Sequence, residues 1–306
     1  MAEYDDCTTV SAACPVEATI FGYAPSLPAN AVFLAISALC AIVQVYLGVR
    51  YKTWAFMTGL LLGCITQAIG YAGRILMEPN AWNDTGFTIQ ITCLIIGPAF
   101  ISASIYLTLK HFALALGSDK SIIRPKWYTW LFISADILSI LLQAAGGALA
   151  SAADDEAGSD MGGNIMLAGI VWQVVALATF GGLAALYAFR VYQGRATLSV
   201  HASNLLSSRP FMVFVGAIAL AYITILIRFI YRIPELAGGW GNELMRKEVE
   251  FILLDNLMVT IAIIALTVAH PGFCFPGLVK GHEQEVLARE KQVGSGSESD
   301  IPVVPV

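Results

Sequence analysis

Residues 211–231 read FMVFVGAIALAYITILIRFIY, and the first seventeen of them carry no charge. A helix needs about 20 apolar residues to cross a hydrocarbon core of roughly 30 Å, so this run is long enough to span a bilayer. Its unbroken apolarity, with Gly and Ala scattered along it, is the pattern of a membrane helix, not of an alternating barrel strand of ~10 residues. Six more runs share this character, at 29–49, 54–77, 87–109, 127–150, 163–189 and 249–269. The whole chain agrees: of 306 residues, 57 % are hydrophobic and 13 % charged, about half the charged share of a soluble protein. The sequence therefore predicts an all-α, polytopic membrane protein, a seven-transmembrane-helix bundle.

The flanks set its orientation, because cytoplasmic loops are enriched in Lys and Arg. The amino tail and the loops 78–86 and 151–162 contain neither residue. Arg50, Lys52, Lys110, Lys120, Arg124, Lys126, Arg190, Arg195, Arg209, Lys280, Arg289 and Lys291 all fall on the opposite side. The loop after the sixth run departs from this with Arg246 and Lys247, accompanied by Glu235, Glu243 and Glu248. The reading is an extracellular amino tail (1–27), a transmembrane domain (28–271) and a polar, disordered cytoplasmic tail (272–306). The first 27 residues lack the basic start and apolar core of a signal peptide. Asn83-Asp84-Thr85 is a glycosylation sequon in a loop placed outside. Cys7 and Cys14 share the outer tail, either as a disulfide of an oxidising compartment or as two free thiols.

Several function classes are excluded. There is no G-x-x-x-x-G-K-[ST] run to drive a pump, and no Lys in the seventh span to carry a retinal Schiff base. His111, His201, His270 and His282 lie at or beyond cytoplasmic span ends, so no intramembrane histidine set can hold a metal. The six cysteines form no C-x-x-C pair, and no basic stripe offers a surface to nucleic acid. No metal, cofactor or catalytic set is expected, and the chain reads as a non-enzyme. The one acid–base arrangement left is a carboxylate pair, Asp136 with Asp255.

The informative residues are polar side chains inside the spans, since a charge at the bilayer centre costs roughly 2.5–3.5 kcal/mol and faces a partner or a wet cavity. Gln67, Gly70, Tyr71 and Arg74 share one helical face, as do Asp136, Ser139, Gln143 and Gly146. Gln90 lies in the third span and Gln173 in the middle of the fifth. Arg228, Tyr231, Arg232 and Glu235 line the outer end of the sixth, and Glu248, Asp255 and Asn256 the start of the seventh. At one depth, Arg74, Arg228, Arg232, Glu248 and Asp255 predict an outward-opening polar cleft with at least one Arg–carboxylate pair bridging helices. Asp136, on the inner side of its span, is expected to line the bottom of a guest pathway and to meet Gln173 or a backbone group. The plainer alternatives are snorkelling arginines, register-fixing clamps and glutamines that glue helices together. Gly97-Pro98 predicts a bend.

In order, the chain carries Tyr23-x-Pro25 with Asn30, Gln67-x-x-Gly70-Tyr71-x-x-Arg74, Gln90-x-x-x-Leu94, Pro98-x-Phe100-x-x-Ala103-x-x-Tyr106 and Asp136-x-x-Ser139-x-x-x-Gln143-x-x-Gly146-Gly147. Gly169-x-x-x-Gln173, Arg228-x-x-Tyr231-Arg232-x-x-Glu235, Glu248 with Asp255 and Met258, and His270-Pro271-Gly272 follow. In these motifs it resembles the fungal lipid-translocating exporter family, the RTA-like seven-span membrane proteins. Gly97 stands where that family usually has Ala, a change expected to matter little. The resemblance implies an outer amino end, an inner carboxyl end, and roles in sphingoid-base or phospholipid movement or asymmetry. It also implies resistance to membrane-active toxins, and regulation of partner flippases as an alternative to direct movement.

The leading function is thus a plasma-membrane translocase or exporter-like protein for amphiphilic lipids. The competing one is a seven-span receptor or sensor of lipid homeostasis. A rhodopsin-like form of the latter is disfavoured by Thr108-Leu109-Lys110 in place of Asp/Glu-Arg-Tyr, and by the lack of Asn-Pro-x-x-Tyr in the seventh span.

Overall fold

The computed structural model describes residues 7–116, 125–153, 155–195, 200–239 and 241–274, and among them there is no strand. Seven helices are long and apolar enough to cross a membrane. They are α1 (Leu27–Tyr51), α2 (Trp54–Met77), α3 (Asp84–Leu116), α4 (Pro125–Ala152), α5 (Glu156–Gln193), α7 (Arg209–Ala237) and α8 (Glu248–Val268). A short α6 (Val200–Ser207) leads into α7, and α9 (Pro271–Cys274) follows α8. Ile42, Leu141 and Val213 are more than half exposed on the bundle surface, which only a hydrocarbon solvent accommodates at such density. The chain is an integral membrane protein.

The expected second span matches α2 residue for residue. Others run longer: the 38 residues of α5 extend about 57 Å at 1.5 Å per residue, past any hydrocarbon core. The segment 151–162, expected as a loop, is largely helix. The Asp155 carboxylate accepts the Gly158 N–H at 3.1 Å as an N-cap, and acidic residues suit the positive end of a helix dipole. Of the expected cytoplasmic tail, residues 275–306 lie outside the described residues.

α2 lies along α3 and α4 along α5, each pair drawn close by glycine. A Cβ at Gly73 would sit 2.9 Å from the Gly86 carbonyl, and one at Gly146 2.6 Å from the Gly162 carbonyl. Such contact gives lipid-embedded helices the van der Waals packing that must replace a hydrophobic driving force. α7 packs on α8, and α1 closes the ring against α2 and α8.

One end of the bundle is covered by the amino tail. Cys7 and Cys14 are joined by a disulfide. Asn80 donates to the Thr8 carbonyl at 2.8 Å, and Trp82 Nε1 to the Cys14 carbonyl at 3.3 Å, fastening the tail to the α2–α3 loop. Asn83 caps α3, its Oδ1 accepting the Gly86 N–H at 2.9 Å, while its Nδ2, the atom a glycan would occupy, donates to the Leu76 carbonyl at 3.4 Å. Arg246, one of the two exceptions to the charge pattern, lies against Gly22 of the tail and donates to the Gly241 carbonyl at 3.1 Å.

Candidate functional site

Beneath the tail, the charged residues of α2, α7 and α8 form one network. Arg74 is 0 % exposed. Its guanidinium donates to Gln90 Oε1 at 3.0 Å and to the Tyr23 hydroxyl at 3.1 Å, and the Phe251 ring centre lies 4.3 Å from its Cζ. Glu248 stands 3.9 Å from it and accepts the Ser26 N–H at 2.6 Å. Burial holds the Tyr23 phenol above its ordinary pKa against the opposing pull of Arg74, so it serves as a neutral hydrogen-bonding group.

Asp255, 1 % exposed, sits where α8 widens into a π turn over Ile252–Asn256, a local distortion often found at functional positions. One of its oxygens lies 3.0 Å from Arg228 Nε and 2.9 Å from Arg232 Nε. Arg232 also reaches Glu235, at 3.0 Å. Arg228 makes a second bond, to the Leu94 carbonyl of α3. Pro98 lacks the N–H that would bond this carbonyl four residues back, so the bend read from Gly97-Pro98 supplies an acceptor to a buried arginine. Three guanidiniums thus face three carboxylates, and the cluster is neutral.

The expected outward-opening cleft is therefore corrected. Arg228, Arg232, Asp255 and Glu235 are buried and paired with one another, and Arg74, also buried, pairs with Glu248 and lies against Phe21 and Tyr23 of the tail. Neutralising one another costs less than lining a groove with unpaired charge. The expected bridge between helices is present twice at Asp255, both times from α7 to α8.

Asp136 is different. It faces the bundle interior, 4 % exposed, and no described basic side chain pairs with it. Its interacting neighbour is the Tyr106 phenol of α3, yet neither carboxylate oxygen has a well-formed hydrogen bond among the described residues. The expected Gln173 contact is corrected too. Gln173 Oε1 accepts from Gln143 Nε2 at 3.2 Å and lies 3.1 Å from the Ser139 hydroxyl, which also reaches the Gly169 carbonyl at 2.8 Å. With Gln143 donating to Ser139 at 2.6 Å, these three side chains bond to one another and leave the carboxylate out, and Gln173 Nε2 has no hydrogen-bond partner among the described residues.

The RTA1 like protein family model matches residues 60–278. The chain belongs to this family. It is 30 % identical over 290 residues to the sphingoid long-chain base transporter RSB1 of Saccharomyces cerevisiae, covering 84 % of this chain and 74 % of RSB1. Protoporphyrin uptake protein 1 of the same yeast is 30 % identical over 210 residues, covering 67 % of this chain and 65 % of that protein. Protein RTM1 is 26 % identical over 235 residues, covering 74 % and 73 % respectively. No solved structure matches.

Within this RTA1-like bundle, Gln67 and Tyr71 are buried; the Gln67 amide has no hydrogen-bond partner among the described residues, and the Tyr71 hydroxyl has Thr260 as its interacting neighbour without a well-formed hydrogen bond. A Cβ at Gly97 would lie 2.7 Å from Gln67 Nε2, the far end of a flexible side chain. Sequence reasoning placed Glu235 on the face of Arg232 and noted Tyr23 and Tyr106 in motifs, but carried none of the three into the candidate site. Glu235 was detectable as the i+3 neighbour of Arg232. Tyr23 and Tyr106 act across helices, where spacing along the chain carries no signal.

Proposed function

We propose that this protein is a non-enzymatic translocase of amphiphilic lipids whose cargo carries a cationic head, the sphingoid bases being the leading class. The observation that carries this is the isolation of Asp136. Every carboxylate buried in the network under the amino tail has a guanidinium beside it, whereas Asp136 has a phenol. An intramembrane carboxylate without a resident cation is a place for a passing one, an ammonium head or a coupled proton. The name of RSB1 supports the same class. Asp136 with Tyr106 forms the head station, and Ser139, Gln143 and Gln173 fix α4 to α5 behind it. Arg74, Gln90, Arg228, Arg232, Glu248 and Asp255 form the closure that must part for release, and Gln67 and Tyr71 lie along the path beneath.

In this reading the amino tail is extracellular, the carboxyl end cytoplasmic and the membrane the plasma membrane. Toxin resistance, phospholipid asymmetry and contact with regulatory flippases follow as consequences of moving amphiphiles. The test is reconstitution of the purified protein in liposomes with a fluorescent sphingoid base. Transbilayer movement above that of protein-free liposomes is expected. Movement equal to that control rejects direct translocation and favours a sensor.

A further inference from the structure

Between α3, α5 and α7, toward the end of the bundle away from the amino tail, lies a cavity of about 480 Å³, within the range of about 300–1,000 Å³ typical of ligand sites. Leu109 and Phe112 of α3, Ala184 and Ala188 of α5, and Val215 and Ile218 of α7 give it apolar walls. From Phe180 to Tyr192 the α5 lining rises about 18 Å, a length suited to a long alkyl chain, and Arg195 stands at the mouth just past the helix end. The deep end offers little polarity, since the Tyr222 hydroxyl is engaged with the Leu177 carbonyl at 3.2 Å. The mouth carries Arg195, exposed, its guanidinium 5.3 Å from the Tyr192 ring centre.

Arg195 is the one charged residue among the described residues lining this cavity. No Asp or Glu occurs between Asp160 and Glu235, so α6, α7 as far as Pro234, and all of α5 beyond Asp160 bring none. The general excess of basic residues on cytoplasmic loops explains positive charge on this side. It does not explain an arginine set on the border of an apolar cavity and held over a tyrosine ring.

We propose that this cavity binds a single-chain amphiphile with an anionic head, a fatty-acid carboxylate or a lysophosphate. It enters from the leaflet opposite the amino tail, with its chain between α3, α5 and α7 and its head on Arg195. This ligand is not the cationic cargo of the preceding reading: Arg195 repels an ammonium, and Asp136 is not part of the cavity lining. The site stands whether or not the protein translocates sphingoid bases.

The test uses the full chain in phosphatidylcholine nanodiscs, labelled with a palmitic acid or a lysophosphatidic acid carrying a photoreactive diazirine at the chain end. Crosslinked peptides are mapped by mass spectrometry. Labelling is expected on α5 and α7 around Ala184, Ala188 and Val215. Arg195→Glu, at an exposed position that leaves the core intact, should reduce it at least tenfold, and Ala188→Trp should abolish it by filling the space. Preference for one probe over the other assigns the head as carboxylate or phosphate. Equal labelling by the methyl ester of the acid or by a long-chain amine overturns the proposal, as does labelling that Arg195→Glu leaves unchanged.

Discussion

The charged network under the amino tail and the Asp136 site answer the same physical problem in opposite ways. Each places ionisable groups where lipid and protein exclude water. In the network, Arg74, Arg228 and Arg232 are matched by Glu248, Asp255 and Glu235 across α2, α7 and α8, and the spare carbonyl of Leu94 takes up a further guanidinium bond. At Asp136 the surrounding polar groups bond to each other and the carboxylate keeps only Tyr106. In the proposed function the first arrangement fixes helices, while the second holds a charge in reserve for cargo.

The largest effect should come from Asp255. Asp255→Asn leaves two buried guanidiniums sharing a neutral amide, and breaking a buried pair from one side costs about 3–5 kcal/mol. Thermal unfolding of the purified protein should show it as a large fall in midpoint. An unchanged midpoint would break the comparison, because the network would then not be a clamp.

His270 offers a third answer to the same cost, which is to remain neutral. At the far end of the bundle, just past α8, it is buried and its pKa is lowered by desolvation to about 4. Its Nδ1 accepts the Gly272 N–H at 3.0 Å, and Nε2 faces the Thr53 hydroxyl at 3.4 Å. A depressed histidine pKa contributes stability above the unfolded value near 6.5, lost as pH falls from there toward 4. At pH 5 the loss should be on the order of 1–2 kcal/mol. His270→Asn keeps an acceptor for Gly272 and should flatten that part of the stability profile. An equally steep profile in the variant would assign the acid sensitivity elsewhere.

Glu248 should matter least. It is partly exposed and stands 3.9 Å from Arg74, and such a pair is worth about 0–1 kcal/mol. Glu248→Gln, which keeps an acceptor for the Ser26 N–H, should shift the unfolding midpoint far less than Asp255→Asn. Equal shifts would show that depth does not grade the network.

Much of this was legible in the chain and some was not, for identifiable reasons. Continuous apolarity marks each span, and α7 places Arg228, Arg232 and Glu235 together because three- and four-residue spacings share a helical face. Which partner each arginine takes depends on the π turn at Asp255 and on α3 losing a donor at Pro98, both features of three-dimensional packing. The open cleft failed as an expectation because nothing in residues 7–26 announces a tail that folds over the arginines. Tyr106 and Asp136 are thirty residues apart on different helices, beyond any periodicity. The cavity was hidden because Gly181, Ala184 and Ala188 read as the small residues any membrane helix tolerates.

The central claim is that Asp136 is kept for cargo and not for packing, and Asp136→Asn tests it when stability and transport are read on the same preparation. The amide retains the shape of the carboxylate and relieves a buried charge of its desolvation cost. The unfolding midpoint should therefore be unchanged or higher, while transbilayer movement of a fluorescent sphingoid base in liposomes falls to the protein-free rate. A stable variant that transports at the wild-type rate would contradict the account and leave Asp136 a packing residue.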